Sequence, residues 1–297
     1  MSSGQQVTED RAINFWSTGP KVKYTTSISI EEGLKMGKII ALCNQKGGVG
    51  KTAATINLGA ALSEMGLRVL LVDTDPQSHT TKGLGWNNPS VIKTALYEQM
   101  KAVIDGKNYE IEDTVLHHEE GMDILPNNIK SSMLEQELIP VIAREQILKR
   151  ALAQHKKIYD YILIDCPPSL GLITMNALTA ADSVIIPTEP SYLGLDGMDM
   201  LFTTIANVRN FANQNLDVEG ILISKKDSRT NEAKEDAAVI HEIYGNVYKV
   251  FNIEIPEEVK VREAVKNGKS SLKYNTRGKA SEAFRSLARE VVEDERN

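Results

Sequence analysis

Only two cysteines, Cys43 and Cys166, occur in 297 residues, and both fall inside apolar, strand-like runs. Two thiols cannot complete a tetrahedral zinc site, and their setting suits buried, reduced side chains rather than a disulfide framework. No apolar run approaches the length needed to span a bilayer, and the first residues hold no hydrophobic core of signal-peptide length; a cytoplasmic protein is expected. Basic charge is not in excess either. Lys and Arg number 34 against 40 Asp and Glu, a net charge of −6, so any contact with nucleic acid needs a local patch. The five histidines, His79, His117, His118, His155 and His241, lack metal-ligand spacing, and there is no internal repeat or low-complexity tract. Trp16 and Trp86 carry no readable function.

What is present is a globular composition, 41% hydrophobic and 25% charged, which excludes disorder and fibrous classes for most of the chain. Residues 1–36 are rich in Ser, Thr, Gln and Gly and read as an N-terminal arm, with a short helix expected over Ile30–Met36. A single domain is expected over 37–297. Within it, apolar runs alternate with helical periods: Lys38–Cys43, Arg68–Asp73, Met122–Pro126, Tyr161–Asp165, Ser183–Pro187 and Val218–Ser224. Runs apolar at every position belong to strands buried on both faces. Their alternation with helices predicts an α/β fold with a doubly wound, mostly parallel sheet. Ligands of such sheets sit at the carboxyl ends of strands, where this chain places Asp73 and Asp75, Asp165, Thr188 and Glu189, and the stretch from Lys225 to Arg229.

The segment Asn44-Gln-Lys-Gly-Gly-Val-Gly-Lys-Thr52 lies between the first run and a predicted helix over Thr52–Met65 that ends at Gly66. Gly47, Gly48 and Gly50 allow the backbone to curl around phosphate, and the helix start adds its positive end. Lys51 is expected to reach the β- and γ-phosphates and the Thr52 hydroxyl to ligate Mg²⁺. The loop is irregular. Gln45 stands where the common phosphate loop has its first glycine, and a second lysine, Lys46, precedes the glycine pair. Asp165, at the tip of the run Tyr161–Asp165, is a second metal candidate; the alternative is a cap for a helix starting near Leu170. Asp73 and Asp75 could face the γ-phosphate and orient a water. Either suffices, because phosphoryl transfer needs positioning more than a strong base.

The loop Lys46-Gly-Gly-Val-Gly-Lys51-Thr52, the cluster Asp73-Thr-Asp75-Pro-Gln77 and Asp165-Cys-Pro-Pro-Ser169, in this order, resemble the ParA/MinD family of deviant Walker A P-loop ATPases. The likeness is to its ParA (Soj-like) chromosome and plasmid partition branch. Pro187-Thr-Glu-Pro190, Asp227-Ser-Arg229-Thr-Asn231 and Ile255-Pro256 through Gly268-Lys269 extend it over about residues 37–292.

The resemblance implies ATP and Mg²⁺ as cofactors, with Lys46, Gly47, Gly48, Val49, Gly50, Lys51, Thr52, Asp165, Pro187 and Pro256 at the nucleotide. It implies that Lys46 crosses a homodimer interface to the partner's ATP and that Asp75 helps activate water. Asp165 and Thr52 would serve the metal, with Asp73 nearby. It further implies an ATP-bound sandwich dimer that binds DNA without sequence preference on the nucleoid, released by hydrolysis that a centromere-binding ParB-type protein stimulates. Residues 256–285 supply basic charge, and Arg229, Lys260, Arg262, Lys266 and Lys269 are the DNA candidates; Glu257 departs from the arginine common in the family.

Two other readings compete. A MinD-like membrane-cycling ATPase needs a basic amphipathic C-terminal helix, whereas residues 283–297 turn acidic, so no membrane partner is expected. An ATP-dependent reductase or ligase sharing the loop needs exposed cluster cysteines or a separate substrate site, and neither is readable here.

Overall fold

Strands whose residues are all apolar require cover on both faces, and the sheet is built that way. The computed structural model describes residues 36–190, 198–227 and 230–294. The expected arm up to residue 35, with Trp16, and the DNA candidate Arg229 lie outside the described residues. Seven strands, β1 (Lys38–Leu42), β2 (Val69–Asp73), β3 (Leu116–His117), β4 (Asp123–Leu125), β5 (Tyr161–Asp165), β6 (Ser183–Thr188) and β7 (Asp217–Ile223), form one sheet in the order β3-β4-β2-β5-β1-β6-β7. Every neighbouring pair is parallel except β3–β4 at the edge. The described α-helices are α1 (Lys51–Glu64), α2 (His79–Gly83), α3 (Leu96–Ile104), α4 (Leu134–Leu138), α5 (Ile147–Leu152), α6 (Leu172–Ala180), α7 (Met198–Phe211), α8 (Asn231–Tyr244), α9 (Val259–Lys266), α10 (Ser271–Tyr274) and α11 (Lys279–Asp294).

Alternate residues of each central strand enter different cores. Ile40, Leu42, Leu71 and Leu163 pack with Ile56 and Leu62 of α1 and with Phe284 and Leu287 of α11. Ile39, Ala41, Leu70 and Ile162 pack on the other face with Leu148, Leu178 and Leu201 of α5, α6 and α7. Each buried Ile, Leu or Phe side chain among them contributes roughly 1.5–3 kcal/mol.

The chain leaves β1 toward β2 on one side and leaves β5 toward β6 on the other, so the order reverses around β1. A crevice outside the carboxyl ends follows from that reversal. The predicted strands are all found within a residue or two, and the predicted helix over Thr52–Met65 is α1, closed at Gly66 with φ +81°. β3 was not foreseen. Two residues, one half-buried and one exposed, leave no alternation to read.

Candidate active site

The loop after β1 is held from outside by the ends of two strands, β6 and β7. Asn44 Nδ2 donates to the Pro187 carbonyl at 2.7 Å, and Ser224 Oγ donates to the Val49 carbonyl at 2.6 Å. Lys225 Nζ donates to the Gly48 carbonyl and pairs with Glu189 at 2.8 Å. With its Gly48 and Val49 carbonyls drawn toward the end of β7, the loop turns at Gly48 and Gly50, whose φ values of +81° and +91° are strained for residues bearing a Cβ. Gly50 is the residue before α1, whose first N–H groups have no partner within the helix. The nearly buried Lys51 Nζ folds back to the Lys46 carbonyl at 3.1 Å, and the Lys46 N–H donates to Asn44 Oδ1 at 2.9 Å.

Behind the loop, β2 and β5 pair in register so that Asp73 lies beside Asp165. Asp165 Oδ2 accepts from Thr52 Oγ1 at 2.7 Å and from Thr80 Oγ1 at 2.6 Å, while its buried Oδ1 has no hydrogen-bond partner. Burial lifts the Asp165 carboxyl to about 6, against the opposing hydrogen bonds from Thr80 and Thr52 and the charge of Lys51. Asp73 Oδ2 accepts from the Thr81 N–H at 2.8 Å and from Thr81 Oγ1 at 2.6 Å. Burial, reinforced by the neighbouring Asp165 charge, pushes Asp73 up to about 7.

Asp75 differs in kind. Its Oδ1 accepts from the Gln77 N–H at 2.9 Å, its Oδ2 stands 3.6 Å from His79 Nδ1, and its side chain lines the cavity in front of the loop. The choice that the sequence left open is thereby narrowed: Asp75 faces the cavity and Asp73 is sealed behind it.

The donor set suits a hard divalent cation. An orphaned carboxylate oxygen of Asp165 beside the Thr52 hydroxyl offers oxygen ligands only. Among the described residues no group of three His, Cys, Asp or Glu forms a metal cage. Mg²⁺ needs no such cage, since it is held through one or two carboxylates together with phosphate and water.

The cavity measures about 790 Å³, within the range of small-molecule sites. Gly47, Gly48, Gly50, Lys51, Thr52 and Asp75 line it, and so do Arg262 and Lys266 from α9. Lys46 is not among the lining residues. Val49 is fully buried, and Pro187 is buried in β6, where its carbonyl serves Asn44. Pro256 lines a smaller adjoining cavity of about 70 Å³ with Gly50 and Ala53. Of the remaining DNA candidates, Lys260 pairs with Glu263 at 2.7 Å and Lys269 lies 3.8 Å from Glu119. Lys225 belongs to the strand-end stretch named from the sequence, whereas Thr80, Thr81 and Ser224 were not singled out there. Hydroxyl residues at strand and helix ends carry no spacing that distinguishes them from turn formers.

Comparison with known proteins agrees with this geometry. The AAA domain family model matches residues 37–218. The chain is 43% identical over 257 residues to the sporulation initiation inhibitor protein Soj of Bacillus subtilis, spanning 86% of this chain and 99% of that protein. It is 38% identical over 262 residues to the chromosome partitioning protein ParA of Caulobacter vibrioides, spanning 88% and 96%. Among solved structures, cobyrinic acid a,c-diamide synthase from Mycobacterium smegmatis with bound ADP and magnesium matches with a TM-score of 0.74 at 35% identity, covering 86% of this chain and 93% of that one. With the deviant loop, the paired strand-end carboxylates and these relatives together, the chain belongs to the ParA/MinD family of P-loop ATPases.

Proposed function

We propose that this protein is a Mg²⁺-dependent ATPase that partitions chromosomal or plasmid DNA, working in the cytoplasm on the nucleoid. The observation that carries the reading is the likeness to Soj and ParA across 99% and 96% of their lengths, at identities above that of the synthase. Residues 37–297 act as the ATPase domain and residues 1–36 as an arm. Lys51 and the glycine loop hold the phosphates of ATP, Pro256 flanks the nucleotide, and Asp75 orients the attacking water. Mg²⁺, when bound by Thr52 and Asp165 with Asp73 behind them, neutralises charge on the phosphates. Lys46 serves a second copy of the chain. In support, it stands on the loop yet is not among the residues lining its own cavity. A cation from the partner subunit makes hydrolysis conditional on dimerisation, as an arginine finger does.

The ATP-bound dimer binds DNA without sequence preference through Arg229, Lys260 and Lys269, and a centromere-binding ParB-type protein stimulates hydrolysis and release. A membrane role is less well supported. Phe284, Leu287, Ala288 and Val291 of α11 are spent in the core, and no described helix is long and apolar enough to cross a membrane. A cluster-bearing reductase is disfavoured by the burial of both Cys43 and Cys166.

The test is DNA binding with ATP, with ADP and without nucleotide, for wild type and Lys46→Gln. Tight binding with ATP alone, and loss of partner-stimulated hydrolysis in the variant, are expected. DNA affinity indifferent to nucleotide refutes the partition reading.

A further inference from the structure

α9 carries cations on two faces. Val261, Arg262, Val265 and Lys266 recur at helical spacing and all line the cavity of the phosphate loop. Lys260 and Glu263 pair with each other off that wall, with Lys260 Nζ 5.7 Å from the Tyr274 ring. The helix is fixed in this rotation. A Cβ added to Gly83 of α2 would lie 3.1 Å from Val265 Cγ1, and one added to Gly268 would lie 2.8 Å from Gly85 Cα, so backbone touches backbone just after α9. The following turn is clamped by the β3–β4 loop: His118 Nε2 lies 3.1 Å from the Gly268 carbonyl, and Glu120 accepts from the Ser270 N–H at 2.9 Å. Turning Arg262 and Lys266 away from the cavity would break these contacts.

The walls select the ligand by charge. Lys51, Lys82, Arg262 and Lys266 face the cavity against one carboxylate, Asp75. A neighbouring cavity of about 320 Å³ presents Glu189, Asp227, Glu232, Asp236 and Glu257 against Lys225. A polyanion is drawn to the first and repelled by the second. Arg262 also lines the small Pro256 cavity, and its Nη1 pairs with Glu257 at 3.2 Å, so it stands between the phosphate loop and the Pro256 side.

The geometry points to Arg262 and Lys266 as nucleotide-binding residues rather than DNA contacts, a deepening that rests on the ATP reading above. Lys266 supplies charge to the phosphates. Arg262 lays its planar guanidinium against the nucleoside, a contact for which Arg suits better than Lys.

The test is competition of ATP and ADP against a fluorescent nucleotide, with Mg²⁺ and no DNA, for wild type, Arg262→Ala, Lys266→Gln and a charge control, Lys149→Gln, on the exposed side of α5. About fivefold weaker ATP binding is expected for each of the first two, more in the double variant, with the control unchanged. An unchanged melting temperature without nucleotide shows that the fold is intact; where one variant fails to fold, Arg262→Lys tests the same contact. ATP affinity within twofold of wild type in both variants overturns the assignment, and does so most clearly if DNA affinity falls instead. Wild type that binds neither ATP nor ADP overturns the ATP reading itself.

Discussion

Replacing Asp73 with Asn should change how stability depends on pH in the protein free of metal and nucleotide. Asp73 is fully buried and beside Asp165, and its carboxyl is raised from 3.8 to about 7. A folded-state value above the unfolded one means that the folded protein holds this proton more tightly. The stability it confers is complete below about 4 and is lost as pH rises through about 7. The shift corresponds to about 4 kcal/mol at pH 8, of which about 3 kcal/mol develops between pH 5 and pH 8.

Asn cannot ionise and escapes this loss. It retains an oxygen for the Thr81 N–H and hydroxyl but presents an amide nitrogen to the Asp75 N–H, which donates to Asp73 Oδ1 at 3.2 Å. That mismatch costs roughly 1–3 kcal/mol at every pH. The cost is constant, so it cancels from the comparison between pH values; Asp165 titrates in both proteins, and its repulsion with Asp73 is already counted in the raised Asp73 carboxyl. Urea unfolding in EDTA at fixed ionic strength, from pH 5 to pH 8, should therefore show the variant gaining about 3 kcal/mol on wild type across the range. Parallel stability curves for the two proteins would refute the claim that burial and Asp165 destabilise the Asp73 charge.

Two further outcomes follow from contacts around the loop. Lys225→Met removes the donor to the Gly48 carbonyl and its ion pair with Glu189; ATP affinity should fall about fivefold by calorimetry, while stability changes by less than about 1 kcal/mol. Gly268→Ala forces a Cβ against Gly85 at φ +68°, and urea unfolding should show a loss of about 2–4 kcal/mol; a change under about 0.5 kcal/mol would mean that the turn after α9 is not held against α2.

The loop and the central strands were legible because their signals are local. Glycines flanking lysine between an apolar run and a helical period need no tertiary context, and a strand buried on both faces announces itself as an unbroken apolar run. What escaped depends on register and on helix phase. Asp73 and Asp75 are equivalent in sequence, and only the pairing of β2 with β5 puts Asp73 beside Asp165 and leaves Asp75 toward the cavity. Thr80 was illegible for the same reason: its partner, Asp165, is 85 residues away. Likewise the basic run in α9 read as one patch, although Lys260 and Lys266 lie on different sides of the helix. Basic residues in sequence are a supply of charge, and the rotation of α9, set by the small residues Gly83, Gly85 and Gly268, decides which of them faces the phosphate loop.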